Sequence, residues 1–154
     1  MLAGLDETAL ERVYGERLRL SPGAERMLER LRSLGIKTLL VSSGFTFFTE
    51  RLKERLSLDY TLSNTVEIEN GKLTGKVLGR IIDAQAKAAK LRELRDGLHL
   101  ARDQIIAIGD GANDLAMMAE AGVSIAYHAK PVVREKATYC FDHVGLNGLL
   151  NLFA

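Results

Sequence analysis

The chain has 154 residues, of which 47% are hydrophobic and 27% are charged. This is the size and mixture of one folded domain with its own buried core. The 21 lysines and arginines nearly balance the 20 aspartates and glutamates, and the two signs are interspersed, which argues against a nucleic-acid or membrane-surface partner. Cys140 is the single cysteine, which suits a reducing cytoplasm and a small core position. No stretch approaches the roughly 18 apolar residues of a membrane span, so we expect a cytoplasmic protein.

The first half of the chain alternates helical and strand patterns. Apolar residues at helical spacing predict a helix over 6–20, and a second helix follows in "SPGAERMLERLRSLG". In that stretch Ser21 suits the cap, Pro22 suits the first helical position, and Gly35 ends the helix. "KTLLVSS" is a continuous apolar run, which is typical of a strand buried on both faces of a parallel sheet. Another helix is predicted to start near Thr46.

An antiparallel feature interrupts this alternation. "LDYTLSN" predicts a second strand, and "TVEIENGKLTGKVLG" then alternates apolar and polar residues around Asn70-Gly71. Because Asn-Gly between alternating runs is the strongest short signal of a two-residue turn, we expect a β-hairpin insertion near 64–79.

The second half returns to the alternating pattern. "DAQAKAAKLRELRDG" predicts a helix closed by Gly97, and three apolar strands follow in "QIIAIGD", "VSIAY" and "TYCFD". Helices are predicted between them in "NDLAMMAEAG" and "PVVREKA", and a last one over 146–153. The chain is therefore predicted to be an α/β protein with a Rossmann-like parallel sheet and flanking helices. Ligands of such sheets bind at the carboxyl ends of the strands.

Two aspartates follow the third buried strand, in "IGDGAND". Asp110 ends the strand and Asp114 begins the next helix, while Gly109 and Gly111 allow the backbone to bend. Carboxylate oxygens at a strand end suit Mg²⁺, which binds through one or two carboxylates and keeps several waters. The alternative is that Asp114 caps its helix and Asp110 merely ends the strand. Two acids, two glycines and an asparagine within six residues exceed what capping requires, which favours a metal site.

Two other polar features follow predicted strands or begin predicted helices. Ser42, Ser43 and Gly44 offer a hydroxyl group and backbone N–H groups leading into a helix, which is a suitable cradle for phosphate, although a serine here is also a common helix cap. Lys87 follows Asp83 on the next helix. A helical lysine usually faces solvent, so this residue by itself indicates no function.

The order of these features resembles the haloacid-dehalogenase superfamily of aspartyl-phosphate enzymes, and within it the phosphoserine phosphatases. The resemblance runs from about residue 2 to the C-terminus. The matching stretches include "VSSGF" at 41–45, "DAQAK" at 83–87, "GDGAND" at 109–114 and "AKP" at 129–131. Shorter phrases that also match are "SPGA", "FTFFTERL", "DYTLSN" and "GKLTG".

The resemblance implies a phosphate-binding group of residues. Ser42 and the backbone N–H groups of Ser43 and Gly44 would bind phosphoryl oxygens, and Asn113 would contact the phosphate. Lys87 would neutralise the phosphate. Ser43 stands where the family has a glycine, so its side chain is expected to crowd this loop.

The resemblance also implies a metal and a catalytic pair. Asp110 would ligate Mg²⁺, and Asp114 would lie beside the metal, where it would hold both the waters of the metal and Lys87. Lys87 and Asp114 are thus the expected catalytic residues. The implied partner is a small phosphorylated substrate, phosphoserine by resemblance, and the implied activity is Mg²⁺-dependent phosphomonoester hydrolysis in L-serine biosynthesis.

One element of the family pattern has no counterpart in this sequence. The family begins with a strand ending in Asp-x-Asp-x-Thr, whose first aspartate attacks phosphorus, and this chain contains no Asp-x-Asp. Asp142, after "TYCFD", is a poor substitute because that strand is expected at the sheet edge. We therefore expect residues 1–20 to be a remnant of the helical cap and 21–154 a core without its nucleophile strand. Such an incomplete, truncated enzyme should be nearly inactive; the alternative is a non-catalytic protein that binds Mg²⁺ and phosphate, or an interaction fragment.

The absence of that strand has a consequence for the sheet. In the family it lies between the "TLLVS" and "IIAIGD" strands. We expect these two strands either to pair directly or to pair with a partner strand, which would allow self-association through the opened sheet.

Overall fold

The computed structural model describes residues 3–153, which form two compact units. The first contains Leu28–Ile82 and the described residues up to Ser21, and the second contains Pro22–Met27 and the described residues from Asp83 onward. The predicted division into a cap remnant (1–20) and a core (21–154) stays a prediction; residues 1, 2 and 154 lie outside the described part of the chain.

The first helices form largely where the sequence predicts them. Helix α1 (Thr8–Arg12) continues into one π-helical stretch, Val13–Arg17, inside the predicted range. Helix α2 (Ala24–Ser33) starts two residues later than Pro22, because Gly23 adopts a φ of +78° that a right-handed helix does not accommodate. Gly35 follows the end of α2 with a φ of +71°, as expected of a glycine that terminates a helix.

The first sheet contains three strands in the order β1-β2-β3. Strand β1 (Leu39–Phe45) is parallel to β2 (Tyr60–Glu69), with helix α3 (Thr46–Leu56) between them in the chain, and β2 is antiparallel to β3 (Lys72–Leu78). The predicted strand and the first arm of the predicted hairpin are therefore one continuous strand. The hairpin itself is confirmed, since Asn70 and Gly71 both have positive φ, as the predicted two-residue turn requires.

The second unit supplies the other sheet. Its elements are α4 (Ala84–Gly97), β4 (Ile106–Gly109), α5 (Leu115–Met118), β5 (Val123–Tyr127), α6 (Pro131–Arg134), β6 (Tyr139–Phe141) and a 3-10 helix, Leu146–Phe153. The strands are all parallel and ordered β4-β5-β6, and a 3-10 turn, Ala112–Asp114, leads into α5. The core of this unit includes β5 and α6, where Ile125, Ala126 and Val133 are fully buried.

The architecture is the expected α/β fold with parallel strands and flanking helices. The predicted terminal helix over 146–153 is confirmed and is a 3-10 helix. Among the described strands, β1 pairs only with β2 and β4 only with β5, so the first alternative, direct pairing of "TLLVS" with "IIAIGD", is wrong, and the second, pairing with a partner strand, stays a prediction. Cys140 is exposed because β6 is an edge strand, so the core position predicted for it is also wrong. None of the helices between residues 3 and 153 has the length and apolar character of a membrane span.

Candidate active site

The Ser42 loop lies at the end of β1, where the pairing with β2 is interrupted. Val41 is opposite Leu62 and Phe45 is opposite Asn64, so three residues of β1 face a single residue of β2. Such a bulge re-aims the backbone of the longer strand. Within it the Ser42 Oγ accepts a hydrogen bond of 2.9 Å from the backbone N–H of Gly44. The predicted phosphate loop is therefore a β-bulge in which the Ser42 hydroxyl group is hydrogen-bonded to the backbone N–H of Gly44.

Glycine at position 44 and serine at position 43 have different neighbours. A Cβ atom on Gly44 would lie 3.1 Å from the Ser42 Oγ, which is tighter than most contacts of that kind. Ser43 has an exposed side chain, and its hydroxyl donates a long hydrogen bond of 3.4 Å to the carbonyl of Ile82. A side chain is accommodated at 43 because it extends to solvent and to Ile82, whereas position 44 has little room for one.

Lys87 and Asp114 form a buried ion pair in the second unit. Helix α4 starts at Ala84, and Asp83 caps it, because the Asp83 carboxylate accepts a hydrogen bond of 2.8 Å from the backbone N–H of Ala86. One turn later, Lys87 is 4% exposed and its Nζ donates to the Asp114 Oδ1 at 2.9 Å. The usual solvent-facing position of a helical lysine therefore does not apply here. An ammonium group is buried only when it is paired, and this pair is the most deeply buried charge contact among the described residues.

The second oxygen of Asp114 is bound by the backbone of the preceding turn. The N–H groups of Asp110 and Gly111 donate to the Asp114 Oδ2 at 3.1 Å and 3.2 Å. Burial alone would raise the pKa of Asp114, but the hydrogen bonds from Lys87, Gly111 and Asp110 outweigh it and hold the pKa below its usual value. Asp114 is therefore an ionised carboxylate with both oxygens hydrogen-bonded. It closes the turn that precedes α5 and holds Lys87, but its side chain does not cap α5, so the capping alternative is wrong.

Asp110 differs from Asp114 in being exposed. It directly follows the last residue of β4, and its carboxylate accepts no hydrogen bond from any described residue. Its backbone carbonyl accepts the N–H of Lys130 at 3.0 Å, so the "AKP" turn fixes the backbone of Asp110. This hydrogen bond was not predicted, because nothing local in the sequence connects positions 110 and 130. The result is a fixed backbone carrying a free carboxylate at the carboxyl end of a buried strand.

The backbone bends at Asp110 and Gly111, as the sequence predicts, but neither Gly109 nor Gly111 has a positive φ. The glycines are needed here because neighbouring atoms leave no room for a side chain. A Cβ atom on Gly109 would lie 2.6 Å from the Cβ of Asp114, and one on Gly111 would lie 2.7 Å from the Oδ1 of Asn113. Glycine at 109 lets Asp114 approach the backbone of β4 closely.

The other predicted residues are placed as follows. Asn113 lies on the exposed 3-10 turn between Asp110 and Asp114. Asp142, the poor candidate for a nucleophile, pairs with Arg134 at 2.7 Å after the edge strand β6. The predicted set thus falls into two groups: Ser42, Ser43 and Gly44 in the first unit, and Lys87, Asp110, Asn113 and Asp114 in the second.

The donor atoms near Asp110 offer limited coordination to a metal ion. No group of three or more His, Cys, Asp or Glu residues that could hold a metal occurs within residues 3–153. Both oxygens of Asp114 are occupied by protein donors, which leaves the carboxylate of Asp110. A single carboxylate fits Mg²⁺, which commonly binds through one or two carboxylates, waters and a substrate phosphate, and does not fit a fully protein-ligated ion.

Comparison with known proteins identifies the family and the fold of the chain. A family model described as haloacid dehalogenase-like hydrolase matches residues 1–119. A phosphoserine phosphatase of Polaromonas sp. is 47% identical over 156 residues, covering 99% of this chain and 66% of that protein. The crystal structure of a probable phosphoserine phosphatase from Vibrio cholerae matches with a TM-score of 0.92 at 46% identity, covering 97% of this chain and 46% of that one. A phosphoserine phosphatase solved as a phospho-aspartyl intermediate analogue matches with a TM-score of 0.92 at 34% identity, covering 98% and 72%.

The chain therefore belongs to the haloacid dehalogenase-like hydrolases, and within them to the phosphoserine phosphatase family. It spans just under two thirds of the length of the Polaromonas relative and less than half of the Vibrio cholerae chain.

Proposed function

We propose that this chain carries the phosphate-binding and cation-binding parts of a Mg²⁺-dependent phosphomonoester hydrolase that acts on phosphoserine in L-serine biosynthesis. The observation that carries the proposal is the buried Lys87–Asp114 pair, held by the same turn that presents the free carboxylate of Asp110. Relatives named as phosphoserine phosphatases support the choice of substrate.

Each group of residues has a proposed role in phosphoryl transfer. Ser42 and the N–H groups of Ser43 and Gly44 bind phosphoryl oxygens. Asn113 contacts the phosphate, and Lys87 neutralises its charge. Catalysis of this transfer depends mainly on fixed positive groups and dipoles facing the equatorial oxygens. A lysine held by a buried carboxylate is well suited because its ammonium group loses little freedom on binding.

Mg²⁺ is the proposed cofactor, with Asp110 as its ligand in this chain. When bound, the ion would neutralise charge on the phosphoryl group. Asp114 does not ligate the ion directly in this proposal, since Lys87 and two backbone N–H groups already occupy its oxygens. It holds Lys87 and the backbone of Asp110 in place.

Substitution of Asp110 tests the metal proposal without disturbing the fold. Asp110→Asn keeps the shape of an exposed side chain that forms no hydrogen bond within the described residues. Mg²⁺ affinity, measured by isothermal titration of the full chain, should fall at least tenfold. Asp103→Asn is the matched control, because Asp103 is also an exposed aspartate of the second unit and lies at the other end of β4. Equal Mg²⁺ affinity in the two variants would contradict the assignment.

Turnover by the chain alone is proposed to be very low. The sequence contains no Asp-x-Asp, Asp114 is fully engaged, and Asp142 is paired with Arg134. Loss of the nucleophile from a concerted catalytic set costs about 10⁶-fold in rate. Phosphate release from phosphoserine with Mg²⁺ should therefore stay close to the uncatalysed rate. Ordinary enzymatic turnover by the purified chain would refute this part of the proposal.

The second candidate is a protein that binds Mg²⁺ and phosphate without hydrolysis. It is favoured by the hydrogen bonds from protein donors to both oxygens of Asp114, which disfavour attack of that carboxylate on phosphorus. Assays with the chain in excess over phosphoserine separate the two functions: a binder retains the intact phosphomonoester, whereas phosphate release above the uncatalysed rate identifies a hydrolase of very low activity.

A further inference from the structure

Asn64 is a buried polar residue of β2 that the sequence analysis did not single out. Its side chain is 6% exposed and lies opposite Phe45, at the point where the bulge of β1 ends. Asparagine is disfavoured inside strands, because it packs poorly on a pleated surface. A buried amide in this place therefore needs a reason.

Both ends of the Asn64 amide are hydrogen-bonded to backbone. The Nδ2 donates to the carbonyl of Ser43 at 2.8 Å, and the Oδ1 accepts from the N–H of Ile82 at 2.8 Å. The orientation of the amide is fixed by chemistry, since a carbonyl can only accept and an N–H can only donate. Asn64 thus joins the phosphate-loop candidate to the segment that directly precedes α4.

The bond to Ser43 sets the direction of the next N–H group. In a planar trans peptide, the carbonyl of one residue and the N–H of the following residue point in opposite directions. Because Asn64 holds the carbonyl of Ser43, the N–H of Gly44 points away from β2, where it meets the Ser42 Oγ. A flip of this peptide would remove the N–H from that position and leave the buried Nδ2 of Asn64 without its acceptor.

We propose that Asn64 is a positioning residue that fixes the Ser43–Gly44 peptide and so holds the Gly44 N–H beside the Ser42 Oγ, where a phosphoryl oxygen accepts it in exchange for its bond to Ser42. This inference rests on the proposed role of the Ser42 loop. Asn64 does not itself contact phosphate; it acts through the peptide that it holds.

Two substitutions and one matched control test the proposal on the full chain. Asn64→Asp keeps an oxygen that accepts from Ile82 but loses the donor to Ser43, so it addresses the peptide specifically. Asn64→Ala removes both hydrogen bonds. Thr49→Val is the control, because Thr49 is a buried polar residue of the same unit whose hydroxyl bonds to the Ser63 hydroxyl at 2.6 Å and which forms no side-chain hydrogen bond to residues 42–44.

Two measurements on ¹⁵N-labelled protein test the positioning role of Asn64 separately from the proposed phosphate-binding role of the Ser42 loop. The first is the chemical shift and hydrogen-exchange rate of the Gly44 amide without ligand, and the second is its titration with inorganic phosphate. Both Asn64 variants should change the Gly44 amide and weaken phosphate binding at least tenfold, whereas Thr49→Val should leave both unchanged.

The outcomes are distinguishable. An unchanged Gly44 amide and unchanged phosphate affinity in Asn64→Asp would overturn the positioning role, as would equal effects in Thr49→Val. If the parent chain binds no phosphate at this loop, the proposed role of the loop fails. In that case a Gly44 amide that still responds to Asn64→Asp supports the peptide orientation, and one that does not respond overturns it.

Discussion

Replacement of Lys87 by methionine removes one partner from the buried pair while keeping the length of the side chain. The side chains of Lys87 and Asp114 are only 5% and 11% exposed, so water does not replace the lost ammonium group. Asp114 keeps its two backbone hydrogen bonds but loses its countercharge. Removing one member of a buried ion pair costs about 3 to 5 kcal/mol, and we expect Lys87→Met to lower the free energy of unfolding by that amount at pH 7.

The cost should depend on pH with a definite sign. The pKa of Asp114 is held below its usual value in the folded chain, so its contribution to stability is present above the unfolded pKa and is lost as pH falls through the folded pKa. In Lys87→Met, Asp114 stays buried without the ammonium group, so its pKa is higher than in the parent chain. As the pH falls, Asp114 is therefore protonated at a higher pH in the variant, which removes the cost of its unpaired buried charge. The difference in unfolding free energy between parent and variant should therefore be smaller at pH 4 than at pH 7.

Urea unfolding followed by far-UV circular dichroism measures this difference, since the chain has no tryptophan to report by fluorescence. Lys90→Met is the control, because Lys90 lies on the same helix and pairs with the exposed Glu93. A surface pair of this kind contributes about 0 to 1 kcal/mol. Equal loss of stability in the two lysine variants, or a loss in Lys87→Met that does not change between pH 7 and pH 4, would contradict the role of the buried pair in stability.

Two further substitutions test local features of the two units. Gly109→Ala places a methyl group 2.6 Å from the Asp114 Cβ and should cost about 1 to 3 kcal/mol of unfolding free energy by overpacking. Gly97→Ala is the control, because a Cβ atom at Gly97 meets open space, and it should be neutral or stabilising. Equal melting temperatures for the two variants would contradict the expected overpacking at Gly109. Burial raises the pKa of Asp59, but hydrogen bonds from Lys37 and the neighbouring backbone lower it on balance, so its stabilisation is present at pH 7 and is lost on acidification through the folded pKa. Asp59→Asn should cost about 1 to 2 kcal/mol at neutral pH and less below pH 4, as measured by urea unfolding across that range.

Elements specified by local pattern were predictable from the sequence. "VSIAY" forms β5 with the predicted bounds, Pro131 opens α6, and Asn70-Gly71 makes the hairpin turn. Each of these depends on residues that are neighbours in the chain, such as a short apolar run, a proline at a helix start, or two residues that tolerate positive φ. Pattern alone is therefore sufficient for them.

Features that depend on distant partners were not predictable in the same way. The burial of Lys87 requires Asp114, which lies 27 residues later, and the fixed backbone of Asp110 requires Lys130. The separation of the strands into two sheets likewise depends on which strands meet, not on their individual sequences. For Asn64 a weak signal existed, namely an amide residue inside the strand stretch "YTLSNTV", but nothing local indicated its two partners.

Strand β2 pairs with β1 up to Asn64 and with β3 from Thr65 onward, so the register of the hairpin and the position of the Ser42 loop depend on the same strand. Asn64 faces β1, whereas Thr65 is already paired with Leu78 of the hairpin. A slip of one position in a strand turns every side chain to the opposite face. A single inserted or deleted residue in the hairpin arm that propagates along β2 would therefore withdraw the amide of Asn64 from the loop of Ser43. Protein engineers who shorten or lengthen this ribbon should work in steps of two residues.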